Sequence, residues 1–165
     1  WLAGLRMSLL CQGWHICMAT AGFERGLMLR SPARYQVAAA NLAALYQARK
    51  ETCDPSIEAD VVKAWMNAEA YALNIYSTAS RLMSGGKIGP ETSTNKIFWS
   101  ELDIHLHDTA LRILGAEAEL VDLPPVEGQP LWIDDYIFAL AGPIYAGSNE
   151  IQRNIIAERM LGLPR

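Results

Sequence analysis

The chain has 165 residues, 51% of them hydrophobic and 19% charged, with a formal net charge of -4. That much apolar side chain can offset the entropy of ordering, so the composition excludes intrinsic disorder, and the length suits one domain with a sizeable core. Mild acidity argues against a nucleic-acid partner, which favours a basic stripe along one face.

The chain begins at Trp1, without Met, and reads as a product cut or truncated upstream. Residues 1–23 are rather apolar, yet a membrane-spanning helix needs roughly 18 nearly uninterrupted apolar residues. Arg6, Gln12 and His15 break the run, and no charged leader precedes a short apolar block. The stretch reads as a buried or partner-facing helix, with no membrane span. Cys11, Cys17 and Cys53 are odd in number and lack a CxxC spacing, which supports neither a disulfide framework nor a zinc knuckle. Free buried thiols in a reducing cytosol are the simplest account, and they place the protein in the cytoplasm.

The pattern is helical almost throughout. A first helix is predicted over about 14–28, and Ser31-Pro32 interrupts or restarts it. A second, over 33–50, is rich in good helix formers and carries Tyr35, Ala38, Ala39, Leu42, Leu45 and Tyr46 on one stripe. Asp54 can cap the next helix and Pro55 fits its first position. That helix is predicted over 56–84, with Val61, Val62, Trp65, Ala68, Ala72, Ile75 and Leu82 as its apolar period, and Gly85-Gly86 stop it. A fourth covers 93–114 and ends at Gly115, a short helix is predicted over 116–121, and 122–130 is irregular. Helices over 132–141 and 149–161 close the chain. Few runs alternate with period two. Short connections between helices imply an all-α fold, an antiparallel bundle of four main helices with extra short C-terminal helices.

Little of this carries chemistry by spacing alone. Glu101 and His105 are four apart, but no second Glu/His pair exists to complete a di-iron site. The serines lie in no nucleophile elbow, and no phosphate-binding glycine motif follows a strand. The segment 142–153 is more informative: a Gly/Ala/Ser loop feeds into a capped helix, so free N–H groups and a positive dipole end face whatever lies there.

The string from 144 to 165, IYAGSNEIQRNIIAERMLGLPR, resembles the C-terminal signature of the acyl-CoA dehydrogenases, roughly IYxGTxEIQRxIIAxRxLGLPR. Upstream, Gly13-Trp14 with Glu24-Arg25-Gly26 is similar to the family's GW…ERG opening of its C-terminal bundle. Ser93, Lys96 and Trp99-Ser100-Glu101 resemble its S..K..WSE helix, and 112–115 resemble its Q/R-I-L-G turn. The likeness runs over 13–165, whereas 1–12 looks atypical.

The resemblance implies the C-terminal helical domain of a dehydrogenase whose N-terminal α and middle β domains are absent from this chain. It implies FAD held between subunits of a homo- or hetero-oligomer, an acyl-CoA substrate, and an electron-transfer flavoprotein as electron acceptor. The chemistry would be α,β-desaturation of the thioester, with a carboxylate taking the α proton. Many members carry that carboxylate where this chain has Ala146, and a methyl group cannot abstract a proton. In another branch the base comes from the first bundle helix, at a position matching Glu24. Gly147 would line the thioester end and Arg25 the acyl-CoA. Ser148 and Glu150 would lie near the flavin, Gly115 would approach a neighbour's FAD, and Arg49 would match the family's phosphate-binding Arg, although 51–54 replace the usual Phe-Gly that follows it. The alternatives are a non-catalytic partner subunit, or an inert bundle fragment that supports assembly and FAD binding.

Overall fold

Pro32 sits in the first turn of a helix, where its missing N–H is not needed, and an alanine-rich run carries that helix to Arg49. The computed structural model describes residues 30–86, 89–119 and 131–164, together with Gly13, Ile16, Cys17 and Thr20. In chain order the elements are α1 (Pro32–Arg49), α2 (Ile57–Met83), α3 (Thr92–Leu114), a 3-10 helix (Gly115–Glu119), α4 (Trp132–Leu140) and α5 (Asn149–Arg159). No strand occurs among the described residues, so the all-α expectation holds. The predicted first helix lies mostly outside the described residues, and so does 122–130. The first of the four main helices of the expected bundle is therefore not described as a unit.

The side-chain pairs fix the directions of the long helices. Lys50, just past α1, reaches Glu58 at the start of α2, while Gln36 near the start of α1 reaches Glu69 in the middle of α2. These two helices are antiparallel. Arg112 at the end of α3 meets Asp60 at the start of α2 at 2.6 Å, so α3 runs back the other way. The three run up–down–up with each packed on the other two, and α4 and α5 both pack on α3.

α1 buries Tyr35, Ala39, Leu42 and Tyr46, with Ala38 and Leu45 partly buried against the same cluster. This is the predicted stripe. Tyr35 meets Tyr71 edge-on at 5.2 Å, and Tyr71 stacks on Phe98 at 6.2 Å, tying all three long helices together.

The stripe predicted on α2 needs correction. Val61, Ala68, Ala72 and Ile75 are buried, but Val62 and Trp65 are exposed. The observed inward row is Ile57, Val61, Ala64, Ala68, Tyr71, Ala72, Ile75 and Thr78. Small Ala64 and Ala68 allow the neighbouring helices to come close, which turns Trp65 out to the rim. α2 also begins one residue later than predicted, with Ser56 as its N-cap residue, so Pro55 lies before the helix and Asp54 braces the preceding turn instead of capping: its Oδ1 accepts from Ser56 N at 2.8 Å. The short helix expected over 116–121 is a 3-10 turn over Gly115–Glu119. Cys17 and Cys53 are free, but Cys17 is exposed, so burial does not account for it. Among the described residues no helix is long and apolar enough to cross a membrane, and no group of three His, Cys, Asp or Glu stands ready for a metal ion.

α3 differs from the other helices. It packs against α1, α2, α4 and α5, so polar residues as well as apolar ones are buried along it: Ser93, Lys96, Ser100, Asp103 and His107 beside Trp99, Leu102 and Leu106. Each buried polar group needs a partner, and those partners define the candidate site.

Candidate active site

The loop between α4 and α5 leaves α4 through Gly142 N donating to Ala139 O at 2.8 Å and Tyr145 N donating to Ala141 O at 3.1 Å. The chain then passes through two residues with positive φ, Ala146 at 55° and Gly147 at 85°. A left-handed alanine costs about 1–2 kcal/mol, and Gln152 answers for it. Gln152 is fully buried, and its Nε2 donates to Ala146 O at 3.1 Å and to Gly147 O at 3.3 Å. A Cβ built on Gly147 would lie 2.7 Å from that same Nε2.

Ser148 then caps α5, its Oγ accepting from Ile151 N at 3.4 Å. Glu150 follows in the first turn, where its carboxylate complements the helix dipole. A backbone hydrogen bond and the Ser148 hydroxyl hold the Glu150 carboxyl below its usual range. Asn149 turns inward instead. Its Oδ1 accepts from Lys96 Nζ at 2.7 Å and from Ser100 Oγ at 3.2 Å, and its backbone N–H donates to Pro143 O at 2.9 Å. Desolvation pulls the Lys96 ammonium below the usual lysine range. Arg153 pairs with Glu101 at 2.6 Å on the rim. The two strings singled out in the sequence, 93–101 and 144–153, are therefore docked on one another.

A second buried cluster adjoins the same loop. Arg30 donates to the Tyr145 hydroxyl and lies 4.5 Å over the Trp99 ring. Asp103 stands 3.9 Å from Arg30 and 3.6 Å from Arg34, with His107 Nδ1 at 3.5 Å. Burial pushes the Asp103 carboxyl up, against the pull of Arg34, His107 and Arg30.

At the far end of α3, Arg49 forms a two-pronged pair with Glu117, at 3.0 and 2.6 Å. That contact holds the Glu117 carboxyl below its usual range. Gly115 beside it has φ 58° and ψ -132°, and a Cβ built there would meet nothing within 4 Å.

The predicted site residues thus fall into separate places. Gly147, Ser148 and Glu150 gather at the start of α5, while Arg49 and Gly115 stand together at the other end of α3. Ser100 touches the first group and is fifteen residues from Gly115, so the two groups are ~22 Å apart along the helix. Glu24 and Arg25 lie outside the described residues. Sequence reasoning missed Arg30, Asp103 and Tyr145 as a cluster. The signal was the four-residue spacing of Trp99, Asp103 and His107, which puts a carboxylate on an aromatic helix face.

Residues 11–161 match the family profile described as acyl-CoA dehydrogenase, C-terminal domain. Among curated relatives, "Acyl-CoA dehydrogenase IpdE1" of Mycobacterium tuberculosis (strain ATCC 25618 / H37Rv) is 34% identical over 154 residues, covering 93% of this chain and 39% of the relative. The protein of the same name from Mycolicibacterium smegmatis (strain ATCC 700084 / mc(2)155) is 33% identical over 164 residues, covering 99% of this chain and 40% of the relative. The chain thus spans about two fifths of the length of these relatives. A solved structure titled "Tcur3481-Tcur3483 steroid ACAD" superposes with a TM-score of 0.74 at 21% identity, over 93% of this chain and 40% of that one. One from the "ChsE4-ChsE5 complex from Mycobacterium tuberculosis" does so at 0.63 and 24%, over 82% and 37%.

Proposed function

This chain belongs to the acyl-CoA dehydrogenase family, and from that premise we propose that it supplies the C-terminal helical part of an FAD-dependent enzyme that desaturates an acyl-CoA between its α and β carbons. The observation that carries this reading is the docking of the 144–153 loop on the 93–101 face of α3. It sets Ala146 and Gly147 in a rigid, glycine-opened turn at a helix N-terminus.

The base in this reading is Glu24. Ala146 offers only a methyl group, so the α proton passes to the Glu24 carboxylate while the β hydride leaves for the oxidant. FAD, when bound, supplies that hydride acceptor. The residues present fit a flavin shared between chains, because Ser148 and Glu150 stand ~22 Å from Arg49 and Gly115 by helix rise. Ser148 and Glu150 would face one flavin, and Arg49 and Gly115 that of a neighbouring subunit. Gly147 would line the thioester and Arg25 the CoA end. The titles of the two solved structures of like fold, a steroid ACAD and a two-protein complex, support a steroid acyl-CoA as substrate and a hetero-oligomer as assembly, and the family likeness implies an electron-transfer flavoprotein as acceptor. Free thiols at Cys17 and Cys53 support a cytoplasmic site.

A second reading is favoured by one feature. Arg49 is already neutralised by Glu117, which suits a partner subunit that supports FAD while another chain does the chemistry. Visible flavin absorbance separates the two. In the FAD-loaded assembly, a steroid acyl-CoA thioester bleaches the flavin, and Glu24→Gln keeps the flavin but loses the bleaching. Full bleaching in Glu24→Gln removes Glu24 as base and favours the second reading.

A further inference from the structure

Gln152 closes the first turn of α5, and helical side chains lean toward the N-terminus of their helix. That lean carries its amide back past Ser148 to the loop. There one NH2 group meets two acceptors: Nε2 donates to Ala146 O at 3.1 Å and to Gly147 O at 3.3 Å. Both partners are carbonyls, so they fix which end of the amide faces them. The side chain is fully buried, and its Oε1 has no partner among the described residues.

Packing alone does not require glutamine there. A side chain that only fills the core would be apolar, because a buried amide oxygen without a partner is costly. What the amide adds is direction. In a trans peptide the N–H points opposite to the C=O, so drawing the carbonyls of Ala146 and Gly147 inward turns the N–H groups of Gly147 and Ser148 away from Gln152. Neither N–H has an acceptor among the described residues. A Cβ on Gly147 would lie 2.7 Å from Nε2, so the glycine is what lets the amide come this close. Asn149 N closes the same loop by donating to Pro143 O at 2.9 Å.

We propose that Gln152 is a positioning residue: by holding the Ala146 and Gly147 carbonyls, it sets the face that this loop turns toward the acyl thioester. This rests on the reading of the chain as part of a dehydrogenase whose thioester is lined by Gly147. Gln152 touches no substrate in that reading and acts through the two peptide groups it holds. Gln152→Met keeps the length of the side chain and removes both donors.

The test uses the full chain in its FAD-loaded assembly, with a steroid acyl-CoA thioester as probe. Gln152→Met is expected to keep the flavin spectrum and to lower kcat about 10- to 100-fold with KM within about twofold, the mark of misplacement at the reacting centre. Without substrate, its Asn149 amide is expected to exchange with deuterium roughly tenfold faster, because the loop opens around the bond to Pro143. A purely structural role would lower the melting temperature and leave the kcat of the folded enzyme alone. Unchanged kcat in Gln152→Met therefore overturns the proposal, as does lowered kcat with Asn149 exchange unchanged. Should Gln152→Met fail to fold, the comparison moves to an Ala146→Gly background, where glycine relieves the left-handed backbone. There, kcat equal to that of Ala146→Gly alone overturns the proposal. Failure of the dehydrogenase reading is distinguishable: the unmutated assembly then leaves its flavin unbleached, which sinks that reading and the proposal with it, whereas normal bleaching with unchanged kcat in Gln152→Met sinks the proposal alone.

Discussion

Lys96 Nζ donates to Asn149 Oδ1 at 2.7 Å across the α3–α5 contact, and both side chains are buried. With a neutral amide as its close partner, this buried ammonium is pulled below the usual lysine range by desolvation, and the more distant Glu150 and Glu101 oppose that pull. The same Asn149 also exchanges hydrogen bonds with Ser100, so one amide joins two residues of α3 to the first turn of α5.

Asn149→Ala is therefore expected to destabilise the chain by about 1–3 kcal/mol, the cost of leaving a buried polar group unsatisfied. Lys96→Met, which removes the charge along with its need for a partner, should cost less than Asn149→Ala. Urea denaturation of the two variants and the double variant checks this. Additive losses would show that the pair is not coupled.

Gly147 poses a different constraint. Its φ of 85° suits glycine, and a Cβ would press on Gln152 Nε2, which already holds the carbonyls of 146 and 147. Gly147→Ala is expected to cost about 1–2 kcal/mol for the left-handed backbone alone, and more if the Gln152 bonds break. Thermal melting reports the loss, and faster amide exchange at 146–148 locates it. A melting temperature equal to that of the unmutated chain would show that the loop relaxes freely.

The helix boundaries were legible because their causes are local. Pro32, Asp54-Pro55, Gly115 and Ser148 act on residues one to three positions away, and the observed ends lie within two residues of the predicted ones. The inward row of α1 was legible too, since its large apolar residues recur at helical spacing. On α2 the larger Val62 and Trp65 outweighed Ala64 in any reading by hydrophobicity, although close helix approach favours the small residue inside. The buried polar face of α3 showed in the sequence only as the four-residue spacing of Trp99, Asp103 and His107, with no sign that it is buried. Lys96, Asp103 and His107 are buried only because Asn149, Arg30, Arg34 and Trp132 arrive from distant parts of the chain to meet them. The motifs 93–101 and 144–153 were each visible, but their docking on one another was not.

Arg49 and Glu117 offer a test of the phosphate role. Both side chains face solvent, so the pair itself contributes little to stability. Arg49→Ala should leave melting nearly unchanged and weaken FAD binding, whereas Glu117→Gln should release the guanidinium and strengthen it. Fluorescence titration of the chain with FAD reads both. Equal affinity in the two variants would remove Arg49 from the flavin site.

Asp103 gives the pH dependence. It faces Arg30 before α1, Arg34 and Tyr35 on α1, His107 on α3 and Asp135 on α4. Burial raises its folded pKa above the unfolded value of about 3.9. Between those two values the folded chain binds more protons than the unfolded chain, so this group's contribution is fully present below about pH 3.9 and is lost as pH rises through the raised folded value. Asp103→Asn has no such titration, and its amide resembles the neutral acid in shape. The variant is therefore expected to melt close to the unmutated chain near pH 4 and to gain on it as pH rises, until the raised folded value is passed. Melting curves at unit pH intervals check the sign. A variant that instead falls further behind as pH rises would mean that Arg30 and Arg34 together outweigh the desolvation of the carboxylate.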